Sequence, residues 1–260
     1  MSITATVARI YECDDLMLYK KKPSREPGQA LDDLPTRTIP EAAQYLAIDP
    51  WRLLDWYSKR NAVLKPSGWY GEAQAFALLS FRDMEEAYKV YLLRTKFHYS
   101  MQYIRAALVQ ARRESKSDHP LIDEKMIAFD CLALYMRGRG RRKRHVIALG
   151  ADRPLYIPEV IDTWGKRIVS DSKGRTKQIF PWRFAEKDDD SRPVSIQPDV
   201  MSGRLVVTGT RLPVNVLAQR KQEGETVEHI AKDYGLDPIQ VRQALQHFGQ
   251  KASRTVRSIS

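Results

Sequence analysis

The stretch VVTGTRLPV, residues 206–214, predicts how the C-terminal part of the chain begins to fold. A short β-branched run precedes Gly209, and Pro213 suits the first position of a helix because its fixed φ is helical. The stretch lacks the GxxxxGK[ST] spacing of a phosphate-binding loop, and no GxGxxG is present in the chain. We therefore expect a strand, a turn at Gly209 and a helix, with little support for nucleotide binding.

Three helices are predicted after this turn, because the sequence marks their ends. Gly224 and Gly235 are typical C-terminal stops. Thr226 and Asp237 are typical N-terminal caps, and Gln240 completes a capping box with Asp237. The apolar positions that can fill one three-helix core are Val216, Leu217, Ile230, Ala231, Tyr234, Val241, Ala244 and Leu245.

The same region resembles a known family. Residues 195–245, SIQPDVMSGRLVVTGTRLPVNVLAQRKQEGETVEHIAKDYGLDPIQVRQAL, resemble the small antitoxin-associated family catalogued as domain of unknown function number four-three-three. The resemblance implies an antitoxin, often encoded beside a PIN-like ribonuclease toxin, that neutralises the toxin and represses its own operon. The matching positions include Pro198, Asp199, Gly203, Gly209, Thr210, Arg211, Pro213, Val214, Gly224, Tyr234 and Gly235.

Four residues of this region, Gly209, Thr210, Arg211 and Pro213, are predicted to form a partner-binding site. Gly209 would supply the turn and Pro213 would define the helix start. Arg211, held between them, could pair with a carboxylate on a toxin or on a second subunit, since a guanidinium binds carboxylates bidentately. An internal salt bridge from Arg211 to Asp199 or another nearby acid is the alternative.

Two short helices are predicted near the N-terminus, within TIPEAAQYLAIDPWRLLDWYSKR at residues 38–60. Asp49 and Pro50 form an N-cap and first-position pair, so the second helix should begin there and continue to about Arg60. Two helices joined by so short a turn form a helix-turn-helix, whose second helix can lie in a major groove of DNA. A helical pair used only for protein contacts is the alternative.

Residues 62–79 are predicted to form a wing after this pair, with a turn between two strands at Pro66, Ser67 and Gly68. Ser80 and Asp83 then predict the capped start of another helix, and a further helix is expected from about Ser100 to Glu114. The apolar residues of these two helices are Met84, Ala87, Tyr88, Tyr91, Leu92, Ile104, Ala107, Leu108 and Ala111.

Residues 36–115 resemble the winged helix-turn-helix of the mercury-resistance regulator (MerR) superfamily. The resemblance lies in EAAQYLAIDPWRLLDW, LSFRDMEEAYKVYLLR and SMQYIRAAL. Leu54 occupies the place where that superfamily usually has a phosphate-contacting arginine, and Trp69 and Tyr70 stand in the wing without the usual Arg-x-Tyr. We predict DNA contacts on the face of the second helix opposite Leu53 and Trp56, and on the wing. These residues are Trp51, Arg52, Lys59, Arg60 and Lys65.

The middle of the chain concentrates positive charge. Residues 120–184 hold 14 basic and 7 acidic side chains, which supplies +7 of the net +11 and suggests a polyanion partner such as DNA. Two β-rich runs flank RGRGRRKR and predict a hairpin, a helix is expected near residues 157–164, and a second hairpin follows. The hairpin loop could contact phosphates or be solvated only. Its basic residues are Arg137, Arg139, Arg141, Arg142, Lys143 and Arg144.

These patterns predict an α+β protein with an N-terminal winged helix-turn-helix, a strand-rich middle region and a C-terminal trihelical domain. The acidic run AEKDDDSRP is read as a solvated linker rather than a metal cluster. The expected divisions are an arm at 1–35, the MerR-like unit at 36–118, a basic β-rich domain at 119–184, a linker at 185–192 and the trihelical domain at 193–260.

No catalytic pattern is found in the sequence. The histidines, which are His98, His119, His145, His229 and His247, lack ligand spacing, so we expect no enzyme, metal or cofactor. Cys13 and Cys131 are the only cysteines, which is compatible with a reducing compartment. No apolar run approaches the ~18 residues of a membrane span and no signal-peptide pattern is present, so a cytoplasmic protein is expected.

The predicted partners are double-stranded DNA of the protein's own promoter and a PIN-like ribonuclease toxin. A two-fold homodimer is the default for a helix-turn-helix repressor. A stand-alone MerR-like regulator that senses a small molecule through its middle region is the alternative. Copurification separates these functions, because an antitoxin should bring down a small nuclease and a sensor should not.

Overall fold

The architecture follows from a computed structural model, and it is α+β as predicted. Residues 1–29, Lys59, Arg60, the loop 137–144 and residues 151–165 lie outside the described part of the chain, as does most of the predicted linker. None of the described helices is long and apolar enough to cross a lipid bilayer. The described residues are 30–58, 62–70, 76–96, 98–122, 126–128, 133–136, 145–148, 166–171, 175–181 and 191–249.

The N-terminal region contains a short helix pair, a three-stranded antiparallel sheet and two longer helices. The sheet has the strand order β1-β3-β2, so the β2–β3 hairpin follows the helix pair in sequence and pairs with the strand that precedes it. The elements are β1 (Arg37–Thr38), α1 (Ile39–Leu46), α2 (Pro50–Tyr57), β2 (Gly68–Tyr70), β3 (Phe76–Leu79), α3 (Phe81–Thr95) and α4 (Met101–Ser115).

Local capping explains where the helix pair begins. Thr38 and Glu41 form a reciprocal capping box at the start of α1, and Ala47 ends that helix in the left-handed conformation with φ of 54°. The Asp49 carboxylate caps α2 by accepting a hydrogen bond from the Arg52 N–H, and Pro50 occupies the first helical position as predicted. A turn of only a few residues therefore joins the two helices.

The predicted continuation of α2 to about Arg60 is wrong, because the helix ends at Tyr57. Ser58 is extended, and the chain then turns back so that the N–H groups of Val63 and Leu64 both donate to the Trp56 carbonyl. Val63 and Leu64 are 1% and 0% exposed. The free energy gained by burying these two side chains exceeds that of another helical turn, and the local sequence pattern does not indicate this burial.

The predicted turn of the wing is also misplaced. Gly68 begins β2 and pairs with Leu78 of β3, whereas the connection between the two strands lies in residues 71–75, outside the described residues. A Cβ atom on Gly68 would lie 2.8 Å from Cγ of Pro35. Glycine is therefore needed here for close packing against Pro35 rather than for a turn.

Helices α3 and α4 agree with the sequence pattern. The Ser80 and Asp83 capping box forms at the start of α3, and the predicted apolar stripes of both helices are buried. Three acidic side chains of α3 are also buried, since Asp83 and Glu86 are 0% exposed and Glu85 is 4% exposed. Because such residues are rarely buried without polar partners, their burial indicates a polar network at α3.

The middle strands form two sheets. Strands β4 (Met126–Ala128), β5 (Ala133–Met136) and β6 (His145–Ala148) are antiparallel in that order, and the pairing of β5 with β6 confirms the hairpin around the basic loop. The second predicted hairpin forms from β7 (Ile168–Ser170) and β8 (Thr176–Ile179). Strand β8 pairs with the first C-terminal strand at Ile179 and Ile196, so one sheet joins both regions.

The C-terminal unit places three helices beside that sheet, whose order is β10-β9-β8-β7. Pro213 lies one position before the first helix, as its N-cap residue, because its backbone forms a bridge with Val206. Thr226 and Gly235 cap the next helix as predicted. The elements are β9 (Val194–Ile196), β10 (Leu205–Val207), α5 (Val214–Gln222), α6 (Val227–Tyr234) and α7 (Pro238–Gly249).

The three-helix core is largely the predicted one, with Leu217, Ile230 and Val241 fully buried. Tyr234 is the exception, because it is 39% exposed and its ring lies beneath the Arg220 guanidinium at 5.3 Å. Arg220 holds two carboxylates of the same surface, and this arrangement draws the aromatic ring outward. The predicted core position of Tyr234 is therefore wrong.

The described parts of the N-terminal and C-terminal regions pack against each other. A side-chain N–H of Arg37 donates to the Ser202 carbonyl, and Nε2 of His247 lies 2.9 Å from the Tyr45 carbonyl oxygen. The Tyr88 hydroxyl donates to the Phe180 carbonyl at 3.3 Å. These contacts bring α1 and α3 against the sheet and helices that follow them in sequence, and the buried apolar residues of both ends form one continuous cluster.

Candidate nucleic-acid interface and partner site

Helix α2 presents one face to the core and one to solvent. Leu53 and Trp56 are 0% and 1% exposed, whereas Trp51 is 40% exposed and the Arg52 side chain is also exposed. The predicted orientation of the helix, with Leu53 and Trp56 facing the core, is therefore confirmed. The exposed face combines an aromatic ring with a guanidinium, which are side chains suited to contacting a duplex.

Lys65 was predicted as a DNA contact on the wing. It lies in the segment before β2 and forms an ion pair with Asp118, and the two side chains are 55% and 64% exposed. The hydrogen bond from Lys65 lowers the pKa of the Asp118 carboxyl. Because such exposed pairs contribute about 0–1 kcal/mol, Lys65 can exchange this partner for a phosphate at little cost.

Arg112 of α4 braces the segment that follows α2. One terminal guanidinium nitrogen donates to the Val63 carbonyl at 2.6 Å, and Nε donates to the Asp118 carbonyl at 3.2 Å. Arg112 therefore contacts both the segment that follows α2 and Asp118, the ion-pair partner of Lys65. The position of α2 relative to α4 depends on these backbone contacts, which no local sequence pattern indicated.

Two buried carboxylates, those of Asp83 and Glu86, lie behind this surface beside His119, whose side chain is 22% exposed, and we call these three residues the carboxylate–histidine cluster. Nδ1 of His119 lies 3.1 Å from Oε2 of Glu86 and 3.6 Å from Oδ1 of Asp83, and both acids are 0% exposed. Sequence reasoning missed it, because His119 showed no ligand spacing and Asp83 was explained as a helix cap.

The electrostatics of the cluster favour bound protons. Burial raises the pKa of the Asp83 carboxyl, although hydrogen bonds from the backbone of Ser80 and Ser67 oppose the shift. Burial alone would lower the pKa of His119, but the hydrogen bond and charge of Glu86 and the charge of Asp83 outweigh it and raise that pKa. Both groups therefore hold a proton more strongly than they would in an unfolded chain.

The predicted partner site forms a tight turn between β10 and α5. Gly209 has φ of +81°, a conformation that favours glycine. The Thr210 hydroxyl donates to the Val207 carbonyl at 2.8 Å and accepts from the Leu212 N–H at 3.0 Å, and Pro213 is buried. Gly209, Thr210 and Pro213 thus build the turn.

Arg211 is exposed in this turn, as is Gly209. It forms no ion pair with any residue that the structure describes, and the alternative bridge to Asp199 is absent within that part of the chain. Asp199 is itself exposed. The guanidinium is consequently available for a carboxylate on another molecule.

One surface group of the described residues has the composition of a metal site. Glu225, His229 and Asp233 place their ligand atoms within 4.8 Å of one another. The Arg220 guanidinium contacts both carboxylates, and its hydrogen bonds lower the pKa of Glu225 and of Asp233. A guanidinium already occupies the position of a bound cation, so this group joins α5 to α6 and supports no metal assignment.

The remaining predicted DNA contacts lie outside the described residues, so their roles stay predictions. They are Lys59, Arg60, Arg137, Arg139, Arg141, Arg142, Lys143 and Arg144.

Comparison with known proteins bears mainly on the C-terminal unit. Residues 194–247 match the family described as "Protein of unknown function (DUF433)". A comparison with curated proteins gave no significant match. The chain is similar to the X-ray crystal structure of Rv2018 from Mycobacterium tuberculosis, with a TM-score of 0.56 and 20% identity over 81% of this chain and 97% of that one. The family resemblance expected for the C-terminal unit is thus confirmed, and the similarity to the solved structure extends the likeness of fold to most of the chain.

Proposed function

We propose that the protein is a DNA-binding antitoxin. In this proposal α2 and the β2–β3 hairpin bind a duplex at the protein's own promoter, and the C-terminal unit binds a PIN-like ribonuclease toxin. The observation that carries the proposal is the exposed face of α2, where Trp51 and Arg52 point away from a fully buried opposite face.

The helix pair supports DNA binding through its geometry. Helix α2 begins after a short turn from α1, and α1 and the segment after α2 hold its inner face in the core. A helix supported in this way can enter a major groove, which is about 12 Å wide. The chain also carries a net charge of +11, which favours association with a polyanion.

The C-terminal unit supports a protein partner rather than a second DNA surface. From Pro193 to Gly249 it contains six basic residues (Arg204, Arg211, Arg220, Lys221, Lys232 and Arg242) and six acidic residues (Asp199, Glu223, Glu225, Glu228, Asp233 and Asp237), so its net charge is zero. Its family match coincides with the resemblance that implied an antitoxin. Arg211 offers an exposed guanidinium to a carboxylate of the toxin.

DNA binding is tested by fluorescence anisotropy with the full chain and a duplex of its own promoter. Arg52→Ala should weaken binding by about 1–3 kcal/mol if the guanidinium reads a base, or equally for all sequences if it contacts phosphate. Arg113→Ala is the matched control, because Arg113 is an exposed arginine on α4, away from the helix pair. Equal affinities of the two variants would contradict the assignment of α2.

The basic loop at 137–144 is proposed to add phosphate contacts. Replacing Arg141, Arg142, Lys143 and Arg144 with serine should reduce the salt dependence of duplex binding by up to ~4 units of slope. An unchanged slope would show that the loop is solvated only.

Co-expression with the neighbouring reading frame tests the toxin partner. An antitoxin should copurify with a small nuclease and suppress its ribonuclease activity. A stand-alone regulator would bind the promoter without copurifying with such a protein, and this result would favour the alternative function.

A further inference from the structure

The carboxylate–histidine cluster joins several parts of the proposed DNA-binding unit. Oδ2 of Asp83 accepts hydrogen bonds from the Ser80 N–H at 2.7 Å and from the Ser67 N–H at 2.9 Å. The Tyr57 hydroxyl donates to the Asp83 carbonyl at 3.0 Å. The last residue of α2, the segment leading into β2 and the start of α3 therefore meet at one residue.

The segment 117–121 is held against the same helix from the other side. The Leu121 N–H donates to Oε1 of Glu86 at 3.4 Å, and Nζ of Lys89 donates to the Leu121 carbonyl at 2.9 Å. Asp118 of this segment carries the ion pair to Lys65 and accepts from Arg112. Displacing the segment would thus disturb the contacts that follow α2.

The two carboxylates of the cluster have a cationic partner in His119 only when that histidine is protonated. Oδ1 of Asp83 is buried and has no hydrogen-bond partner among the described residues, where it pairs with Nδ1 of His119 at 3.6 Å. Lys89 is paired with Glu85 at 2.6 Å instead. A neutral His119 would leave two fully buried carboxylates without a counter-charge, and uncompensated buried charge is strongly destabilising.

Other ionisable groups near His119 do not supply this charge. Arg82 affects His119 only through its positive charge, which lowers the pKa of His119. Tyr57 is fully buried, and burial raises the pKa of its hydroxyl well above the ordinary value, so this group stays neutral. Asp118 and Lys65 neutralise each other at the surface, and Arg112 is directed to backbone carbonyls.

We propose that His119 is a proton-linked positioning residue, which docks residues 117–121 on α3 when protonated and thereby holds α2 and the β2–β3 hairpin in the geometry that binds DNA. Its effect on DNA binding rests on the proposed function, whereas its effect on stability does not. His119 touches no DNA in this arrangement and acts through Asp83 and Glu86.

The direction of the pH effect follows from proton uptake. The pKa of His119 is raised in the folded protein, so the folded state holds this proton more tightly than the unfolded state does. The contribution of His119 to stability is therefore fully present below the ordinary histidine pKa of about 6.5 and is lost as the pH rises through the raised pKa of His119 in the folded protein. Docking should weaken on the alkaline side, not on the acidic side.

The test uses the full chain and three variants. His119→Gln retains a hydrogen-bond donor without the charge, and Glu86→Gln removes one of the two carboxylates. His229→Gln is the matched control, because His229 also lies between two carboxylates but is 61% exposed. The measurements are histidine titration by NMR, urea unfolding and promoter binding, each between about pH 6 and pH 8.

In the wild type and in His229→Gln, stability and promoter affinity should fall together as the pH rises, the affinity by several-fold. His119→Gln should lose this pH dependence and bind at every pH about as weakly as the wild type does at the alkaline limit. Glu86→Gln should lower the pKa of His119, which NMR detects even if His119→Gln folds poorly.

Two results would overturn the inference. One is a His119 that titrates at the ordinary histidine value in the wild type, and the other is a pH profile of unfolding that is the same in the wild type and in His119→Gln. Failure of the wild type to bind its promoter at any pH would contradict the proposed function instead, and the unfolding profile would still decide whether the cluster is proton-linked.

Discussion

The N-terminal and C-terminal regions each contain a cluster of two carboxylates and a histidine, and the two clusters differ in burial. Behind α2, two carboxylates and a histidine are enclosed by α3 and the segment 117–121. At the start of α6 and along it, two carboxylates and a histidine lie at the surface beside Arg220. The buried group has to be satisfied in one geometry, whereas the exposed group is screened by water, so only the first can define the position of its neighbours.

The largest expected difference between these regions is the loss of unfolding free energy when one aspartate of each cluster is replaced by alanine. Asp83→Ala should lower the free energy of unfolding by about 3–5 kcal/mol, because it removes the buried carboxylate that accepts hydrogen bonds from the Ser80 and Ser67 N–H groups. Asp233→Ala, at the surface cluster, should produce only a small change. Urea unfolding of both variants measures the contrast, and equal losses would show that burial does not distinguish the two clusters.

A smaller effect is expected for the arginine that joins the two regions. Arg37 is 5% exposed and donates to the Ser202 carbonyl, so Arg37→Ala should cost about 1–3 kcal/mol by leaving that carbonyl without its partner. Arg220→Ala should cost less, because water replaces its hydrogen bonds. Thermal and urea unfolding provide the comparison, and a greater loss in Arg220→Ala would reverse this ranking.

The exposed arginine of the β10–α5 turn should affect association and not stability. Arg211→Glu is expected to weaken toxin binding or self-association about tenfold or more, which corresponds to ~1.4 kcal/mol, while the melting temperature stays unchanged. Arg204→Glu is the control, since Arg204 is also exposed in the same unit. A lower melting temperature with unchanged association would instead indicate an internal role for Arg211.

The smallest effect is expected for the surface pair of Lys65 and Asp118. A double-mutant cycle with Lys65→Met and Asp118→Asn should give a coupling free energy of at most ~1 kcal/mol. Because the pKa of Asp118 is lowered by Lys65, this contribution is present above the ordinary aspartate pKa and disappears as the pH falls through the lowered value. A larger coupling free energy that does not decrease with added salt would show that this pair contributes to stability as a buried ion pair does.

Local patterns predicted most of the helix starts correctly. Thr226 and the pair of Ser80 and Asp83 cap the helices that they were expected to cap, and Gly235 ends α6 in the left-handed conformation. These features depend on hydrogen bonds between residues two to four positions apart. The orientation of α2 was predicted for the same reason, since helical periodicity alone separates Leu53 and Trp56 from Arg52.

The errors arose where distant residues decide the outcome. The end of α2 depends on the burial of Val63 and Leu64, and the role of Gly68 depends on Pro35, a neighbour from before the first strand. Tyr234 had a core spacing, but Arg220 on the preceding helix provides a surface position for its ring. Periodicity gives the face of a helix on which a residue lies and does not give the partners that this face meets.

The amino-acid sequence by itself determined the α+β class, the capped helices, the inner face of α2 and the turn at Gly209, because each depends on the backbone preferences and spacing of neighbouring residues. Only the tertiary structure decided that His119 lies against the buried carboxylates of Asp83 and Glu86. His119 is 33 positions from Glu86 in the chain, and the pKa of each group depends on burial and charge supplied by the other elements. Such long-range proximity is created by packing, so no local pattern can report it.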